Sequence, residues 1–268
     1  MTSDAEVLKS PSVAGAADEI RQQGYAVIPG LYTGAELDAL RVALDDLRER
    51  FGATSLTAKD PVWLADNVEV AGPGLAFYQL LGFAPSLASR LFKPDGVAAL
   101  RAVLGDDMHL ELVGAVMSDE TRPFTEWESH LGGIDDERWR REGRRPRNTD
   151  VKRVIHFLFL EDLDDDTGPW RVLPRVVGDP VDPPASTREP DWPGQVTVTA
   201  RAGSVLLLEE SVWHAVVPRR LPGVRHFIGA CFASVAAEPT VGQDASLAGL
   251  AGHGDPLFAS LLEHRPKR

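Results

Sequence analysis

Cysteine is nearly absent from this sequence, which has one among 268 residues. A single thiol excludes an intramolecular disulfide, and it excludes zinc and iron–sulfur sites that are built from several cysteines. Cys231 lies in the apolar segment 227–232. That setting favours a small buried side chain over a reactive thiol.

Long apolar runs and an excess of positive charge are also missing. No segment approaches the roughly 20 apolar residues of a membrane-spanning helix, and Met1–Ser10 lacks the apolar core of a secretory signal. The net charge is −12, which disfavours a general nucleic-acid or anionic-membrane surface because phosphates attract clustered cations. We therefore expect a cytoplasmic protein that binds neither nucleic acid nor membrane.

Helical patterns dominate the first part of the chain. Thr33 and Glu36 form a capping box ahead of a helix whose leucines recur on one face, and this helix is expected to end near Gly52. Other segments with helical periodicity are shorter. They cover residues 17–23, 85–92 and 96–104.

Strand patterns dominate after Met108. Short segments rich in β-branched residues are bounded by Gly, Pro or Asp, which is typical of an all-β sandwich or barrel. The predicted strands are 25–28, 109–117, 151–160, 170–173, 195–200, 204–208 and 224–234. We expect a mainly β fold with flanking helices. Residues 16–235 would form one domain, between a flexible tail at 1–15 and a peripheral extension at 236–268.

Polar residues converge in three segments of the predicted β region. The first, 127–133, contains His130, and the second is 166–174. The third begins at Ala202 and runs on to His214 and Arg225, which are eleven residues apart. A non-haem iron site needs two imidazoles, usually a carboxylate, and open positions for oxygen and a chelating cosubstrate. In a jelly roll such ligands come from strand ends that meet at one mouth, and a nearby arginine can bind the cosubstrate's far carboxylate.

Residues 20–235 resemble the phytanoyl-CoA dioxygenase-like branch of the Fe(II)/2-oxoglutarate oxygenases. Gly24–Gly30 resembles the start of that family, and Asp166–Pro174 resembles its Asn-Gly-Pro-Leu-Arg-Val-Ile-Pro segment. Gly203–Leu208 with His214 and Arg225 resembles its block of distal histidine and cosubstrate arginine. The resemblance implies a double-stranded β-helix (a cupin-like jelly roll), Fe(II) on His130 and His214, and 2-oxoglutarate on Arg225. It also implies a small-molecule substrate.

The sequence departs from that family at Gly132. The family's first ligand pair is His-x-Asp, and here the same position has His130-Leu131-Gly132. Relatives with His-x-Gly are halogenases in which chloride occupies the carboxylate's place, and Arg225–Ala233 resembles their arginine strand. The resemblance therefore implies radical chlorination of an unactivated carbon, with Gly132 leaving the position vacant for the halide.

Three other interpretations remain open. Asp135 or Asp136 could supply the carboxylate, which would give an ordinary hydroxylase. His109 and Glu111 form a His-x-Glu pair that could bind the metal instead. The third is a catalytically inactive binding protein of the same fold.

Several residues around the two histidines are candidates for substrate contacts. Trp127, Glu128, Trp213 and Arg140 are assigned to substrate binding, and Glu128 and Ser129 are also candidate hydrogen-bond partners of His130. Eight cations fall within residues 138–153, which predicts either an electropositive lid over an anionic or carrier-bound substrate or a solvated surface loop. His156 and His226 lie in apolar strands and are expected to be core or rim residues.

Overall fold

Two antiparallel β-sheets pack face to face, and helices cover the outer face of the larger sheet. The computed structural model describes residues 13–131, 149–240 and 244–265. The strands in this part of the chain are Tyr25–Ile28 (β1), Val62–Ala65 (β2), Val68–Ala71 (β3), Gly74–Phe77 (β4), His109–Ser118 (β5), Thr125–Glu128 (β6), Arg153–Phe159 (β7), Trp170–Val172 (β8), Val196–Val198 (β9), Val205–Glu209 (β10), His214–Val216 (β11) and Arg225–Ala233 (β12).

The helices precede most of the strands, and short ones follow at the carboxyl end. The α-helices are Val13–Gln23 (α1), Gly34–Arg50 (α2), Leu80–Phe83 (α3), Pro94–Leu104 (α4) and Pro256–Ser260 (α5), and 3-10 helices lie at Pro85–Leu87 and Ala245–Leu250. None of the helices in the described part of the chain combines the length and apolar composition that a membrane crossing requires.

The strand order identifies the fold. The larger sheet runs β1-β10-β7-β12-β5-β4-β3-β2, and the smaller sheet runs β6-β11-β8-β9. All strand pairs are antiparallel, and β12 lies between β5 and β7 in the middle of the larger sheet. This arrangement confirms the predicted mainly β jelly roll with flanking helices.

The two faces of the larger sheet belong to two different cores. In β7, Phe157 and Phe159 point between the sheets and pack against Trp170 of β8. Their neighbour Leu158 points the other way, into the core beneath the helices. Successive side chains alternate between the faces of a strand, so a strand buried on both faces forms a continuous apolar run.

Helix α2 closes the outer core as its sequence predicts. The Thr33 backbone N–H donates to Glu36 Oε2 at 2.8 Å, and the Glu36 backbone N–H donates to Thr33 Oγ1 at 3.4 Å. This reciprocal cap satisfies backbone donors that a helix start leaves unpaired. The buried face of the helix consists of Leu37, Leu40, Leu44 and Leu47.

Some predicted elements differ from those observed. Strands β2, β3 and β4 lie in a region for which no strand was predicted, and the helix predicted at 85–92 is a 3-10 turn at Pro85–Leu87 preceded by α3.

The carboxyl segment contributes Leu247, Phe258 and Leu261 to the outer core, and the Leu261 carbonyl accepts a hydrogen bond from the Leu110 backbone N–H at 2.8 Å. Short elements of this kind are stabilised by tertiary pairing rather than by their own periodicity.

Candidate metal centre

His130 and His214 meet at one edge of the smaller sheet. His214 begins β11, where it pairs with Glu128 at the end of β6, and His130 follows two residues later. The two imidazole ring centroids are 5.0 Å apart. The structure therefore brings together the two histidines that the sequence pattern pairs across 84 residues.

Glu128 completes a group of three ligand-bearing side chains. One ligand atom each from Glu128, His130 and His214 lies within 4.8 Å of the others, and Glu128 Oε1 is 3.7 Å from His214 Nε2. Metal bonds of about 2.1 Å place neighbouring ligand atoms about 3 Å apart, so small side-chain rotations would close the set. Glu128 is exposed and His214 is buried, so the group lies at the mouth of the barrel.

From the sequence, Glu128 was predicted to bind substrate or to form a supporting hydrogen bond to His130. Its closeness to His214 was not predicted. A spacing of two residues places side chains on the same face of a strand, whichever residue comes first. Glu-x-His therefore presents a carboxylate beside the imidazole as His-x-Asp does. The spacing in Glu128-Ser129-His130 was the signal that could have found it.

The His214 imidazole is prepared to act as a ligand through Nε2. Its Nδ1 lies 3.1 Å from the Val212 carbonyl oxygen, which can only accept a hydrogen bond, so Nδ1 carries the proton. Burial lowers the pKa of His214 to about 4, so the ring is neutral at physiological pH. A backbone carbonyl that holds one nitrogen in this way leaves the lone pair of the other directed outward.

His130 is held by the backbone next to a buried ion network. The His130 backbone N–H donates to the Glu210 backbone carbonyl at 2.7 Å. Arg153 donates to both Glu111 oxygens, from Nε at 2.8 Å and from Nη2 at 3.1 Å, and its Nη1 lies 3.5 Å from Glu210 Oε2. The Glu111 carboxylate is engaged by Arg153, so this network does not favour the alternative His109–Glu111 metal pair. Arg153, the last cation of the basic run, is buried rather than part of a surface lid.

Arg225 begins β12 and is 3% exposed. Its Nη1 donates to the Gly168 carbonyl at 2.5 Å. Within the described residues, no Asp or Glu oxygen lies within 4.0 Å of its guanidinium. Burial and then repulsion from Arg122 hold the pKa of Arg225 well below its ordinary value. A buried cation without an adjacent acid is costly, and a bound carboxylate would offset that cost.

Trp170 lies inside the barrel between the histidine and the arginine strand. Its ring stacks on His214 at 5.5 Å between centroids with an interplanar angle of 5°, and it meets Phe227 edge-on at 5.5 Å. Its Nε1 is buried and has no hydrogen-bond partner among the described residues. An indole N–H in this situation is a donor that a ligand oxygen could satisfy.

The turn before Trp170 depends on glycine. Gly168 has φ +87°, and a Cβ there would lie 2.6 Å from the Val217 carbonyl oxygen. Both the backbone conformation and the close approach exclude larger residues. The turn thereby brings the Gly168 carbonyl to Arg225.

Trp127 and Trp213, predicted to bind substrate, lie on the other face of the smaller sheet. Each directly precedes a residue of the metal group, so its side chain points away from that group. Trp127 stacks on Trp192 at 4.3 Å, and Trp192 meets Trp213 at 5.6 Å. Both indole N–H groups donate to backbone carbonyls, of Glu189 and of Val181. A substrate contact for either residue stays a prediction that this placement does not favour.

Several other predicted residues lie outside the described residues or away from the site. Gly132, Asp135, Asp136 and Arg140 fall outside the described residues. His156 lies in the outer core against Phe92 and Phe232, as its apolar strand suggests.

The donor set fits a ferrous ion with a chelating acid. Two imidazoles and one carboxylate with open positions are the ligands of non-haem Fe(II) oxygenases. The buried Arg225 guanidinium and the Trp170 N–H supply donors for the oxygens of an acid that reaches into the barrel.

Comparison with known proteins finds similarity in structure alone. No protein-family model and no curated protein match the sequence. Among solved structures, the carbocyclase SnoK, described as a non-haem α-ketoglutarate-dependent enzyme of nogalamycin biosynthesis, superposes with a TM-score of 0.61 at 19% identity over 90% of this chain and 94% of SnoK.

Two further neighbours were solved with 2-oxoglutarate. EctD from S. alaskensis, bound to 2-oxoglutarate and 5-hydroxyectoine, has a TM-score of 0.62 at 17% identity over 88% of this chain and 79% of its own. HygX from Streptomyces hygroscopicus, bound to nickel and 2-oxoglutarate, has a TM-score of 0.60 at 16% identity over 80% of this chain and 84% of its own. The chain therefore has the jelly-roll fold of these 2-oxoglutarate-binding proteins.

Proposed function

We propose that this protein is an Fe(II)- and 2-oxoglutarate-dependent oxygenase that acts on a C–H bond of a small molecule. The observation that carries the proposal is the group formed by Glu128, His130 and His214 at the barrel mouth. Arg225, buried without an adjacent acid, supports it independently because it provides a partner for a cosubstrate carboxylate.

Each residue has a defined task in this proposal. His214 and His130 would hold the metal through neutral imidazoles, and the Glu128 carboxylate would offset part of the metal's charge. Arg225 would bind the far carboxylate of 2-oxoglutarate. Iron together with 2-oxoglutarate supplies an oxidant strong enough to attack an unactivated carbon. Substrate would approach the site from the barrel mouth, where Glu128 is exposed.

The neighbours agree with a small-molecule substrate and leave the type of oxidation open. SnoK is a carbocyclase, SnoN of the same biosynthesis is an epimerase, and a HygX structure contains hygromycin B. One fold supports many reactions, so these proteins do not assign a substrate to this chain. A free or carrier-bound small molecule remains the expected substrate.

The test is anaerobic titration of the protein with Fe(II) and then with 2-oxoglutarate. We expect one iron per chain and a visible absorption change when 2-oxoglutarate binds. His214→Ala should weaken iron binding by more than about 100-fold, because loss of a ligand exceeds the cost of losing a supporting hydrogen bond. The exposed His264 provides the matched control His264→Ala, which should bind iron as wild type does. A wild-type protein that binds no iron would instead indicate a binding protein of the same fold.

Halogenation is the second candidate, and Gly132 is the observation that favours it. If Glu128 is a ligand, Glu128→Gln should lose iron affinity, and 2-oxoglutarate binding should not depend on chloride. If chloride occupies the position that Gly132 leaves vacant, Glu128→Gln should retain iron and 2-oxoglutarate affinity should rise with halide concentration. The same titration, run with and without chloride, separates the two.

A further inference from the structure

We propose that Arg122 is a second cosubstrate-binding arginine, which together with Arg225 forms a two-arginine site for the far carboxylate of 2-oxoglutarate. The proposal rests on the proposed function, and it adds a residue that the sequence pattern did not indicate. Arg122 belongs to the segment between β5 and β6, and 2% of it is exposed.

The guanidinium of Arg122 is anchored where β6 begins and β11 ends. Its Nη1 donates to Thr125 Oγ1 at 3.0 Å and to the Val216 carbonyl at 3.3 Å, and its Nη2 donates to the Val217 carbonyl. These three contacts determine the orientation of the group. They leave its Nε, which is buried, without a partner among the described residues.

Arg122 and Arg225 bind carbonyls of two segments that are in contact. Arg225 donates to Gly168, and Arg122 donates to Val217. The Cβ position of Gly168 is 2.6 Å from the Val217 carbonyl oxygen, and the Val217 N–H donates to the Pro169 carbonyl at 3.0 Å. Both guanidiniums therefore donate to backbone carbonyls at one contact between two segments.

The two buried guanidiniums at this contact would be stabilised by a bound anion. Within residues 13–131, 149–240 and 244–265, neither guanidinium has an acid oxygen within 4.0 Å. Glu161 raises the pKa of Arg225 from longer range, and its carboxylate oxygens already bind Arg41 and His226. Burial lowers the pKa of Arg122 to about 10. Two neighbouring buried cations are unfavourable unless a negative group joins them.

The position relative to the metal group suits a five-carbon diacid. Val216 lies two residues beyond His214 along β11, a distance of about 7 Å in a strand. The extended chain of 2-oxoglutarate spans about 5 Å between its first and fifth carbons, which falls within this distance. Trp170 pairs with Val216 and stacks on His214, so its unpartnered N–H lies along the same path.

A purely structural role for Arg122, clamping the β5–β6 segment to β11, predicts a different result from the same variant. If Arg122 is only a clamp, the variant Arg122→Met should have a lower thermal stability, and the folded protein should bind 2-oxoglutarate with unchanged affinity. As a binding residue, Arg122→Met weakens 2-oxoglutarate binding while the affinity for iron stays within about twofold of wild type, because Arg122 touches no residue of the metal group.

The first measurement is anaerobic calorimetry of 2-oxoglutarate binding to the Fe(II)-loaded protein. Arg122→Met should raise the Kd by about 10- to 100-fold, the loss expected for hydrogen bonds between charged groups. Arg225→Met serves as the reference for a lost carboxylate partner. The exposed Arg201 provides the matched control Arg201→Met, which should leave the Kd unchanged. A Kd for Arg122→Met within about twofold of wild type overturns the proposal.

The second measurement uses metal-free protein and glutarate, a diacid that lacks the oxo group needed for chelation. Glutarate should raise the Tm of wild type and of Arg201→Met, and it should not raise the Tm of Arg122→Met or Arg225→Met. If wild type binds no 2-oxoglutarate in the presence of iron, the proposed function fails. The glutarate result then tests the two-arginine proposal separately. Stabilisation that depends on Arg122 supports the proposal, and equal stabilisation of all variants overturns it.

A folding failure of Arg122→Met does not leave the proposal untested. Arg122→Lys keeps the buried charge but loses the planar fork that can donate to several acceptors at once. We expect it to weaken 2-oxoglutarate binding by at least about threefold. An unchanged affinity in that variant overturns the proposal as well.

Discussion

The outer and inner faces of the eight-stranded sheet are built from the same strands and have opposite chemistry. On the outer face Phe232 is fully buried against Phe92 beneath the helices. On the inner face the same strand carries Arg225, and across the barrel His214 and Trp170 are equally buried. The outer face is a mainly apolar core. The inner face contains buried hydrogen-bond donors without a partner among the described residues, such as Trp170 Nε1.

The comparison of His156 with His214 shows what distinguishes a ligand from a core residue. Both histidines are buried, and burial lowers the pKa of each to about 4. His156 points outward between Phe92 and Phe232, whereas His214 points inward toward Glu128 and His130. Burial and a lowered pKa are therefore shared by the two faces. The convergence of other ligand atoms occurs at His214, within the part of the chain that the structure describes.

The largest effect is expected on the outer face. Phe232→Ala should lower the free energy of unfolding by about 3–5 kcal/mol, because it removes a fully buried ring and leaves a cavity. Urea denaturation measures this loss. The folded fraction should bind iron with wild-type affinity. A large change in the iron Kd of the folded protein would show that the two faces are not independent.

A change on the inner face should have the opposite result, with a large loss of ligand affinity and a small loss of stability. Arg225→Met should weaken 2-oxoglutarate binding by at least about 30-fold, which corresponds to about 2 kcal/mol for a buried charge that loses its partner. The free energy of unfolding without ligand should fall by no more than about 1 kcal/mol, because the variant loses one hydrogen bond and removes a buried cation. Calorimetry and urea denaturation of the same sample compare the two. A stability loss as large as that of Phe232→Ala would contradict the assignment of Arg225 to binding.

The smallest effect concerns pH and the outer histidine. Burial lowers the pKa of His156 from its ordinary value of 6.5 to about 4 in the folded protein, so between these values the unfolded chain binds a proton that the folded chain does not. This contribution is fully present above pH 6.5 and is lost as the pH falls toward 4. Lowering the pH from about 7.5 to about 5.5 should therefore cost about 1 kcal/mol through His156.

His156→Leu should reduce the loss of stability over that pH range by this amount. The measurement is urea denaturation of wild type and variant at both pH values. Arg225 and the metal group are left intact, so 2-oxoglutarate binding at the higher pH provides the control. Equal pH dependence in wild type and variant would show that His156 does not titrate in this range.

The accuracy of the sequence predictions followed the length and periodicity of the elements. Strand β1 was predicted with its observed bounds, and α2 was predicted from its cap and its leucines, because these signals are local. Strands β2, β3 and β4 have four residues each and are stabilised by pairing with one another and with β5. A four-residue segment carries too little periodicity to show this from sequence.

The site residues were predictable to different degrees for a related reason. His130, His214 and Arg225 were predicted as site residues from their order and spacing together with the family resemblance, and the structure places the two histidines side by side. Glu128 was assigned a lesser role, because its closeness to His214 depends on the pairing of β6 with β11. Arg153 was counted in a basic surface run, although it is buried against Glu111 and Glu210. Pairing across strands and neutralisation by distant acids are properties of tertiary structure.

The sequence by itself determined the mainly β fold and the helical start of the chain, because these follow from local periodicity. Its resemblance to a known family predicted the two histidines and the arginine as site residues. Tertiary structure alone decided that Glu128 lies beside His214, that Glu111 is engaged by Arg153, and that Arg122 and Arg225 donate to carbonyls at one backbone contact. These contacts join residues that are distant in sequence. They exist only because antiparallel pairing brings the strand ends together at one mouth of the barrel.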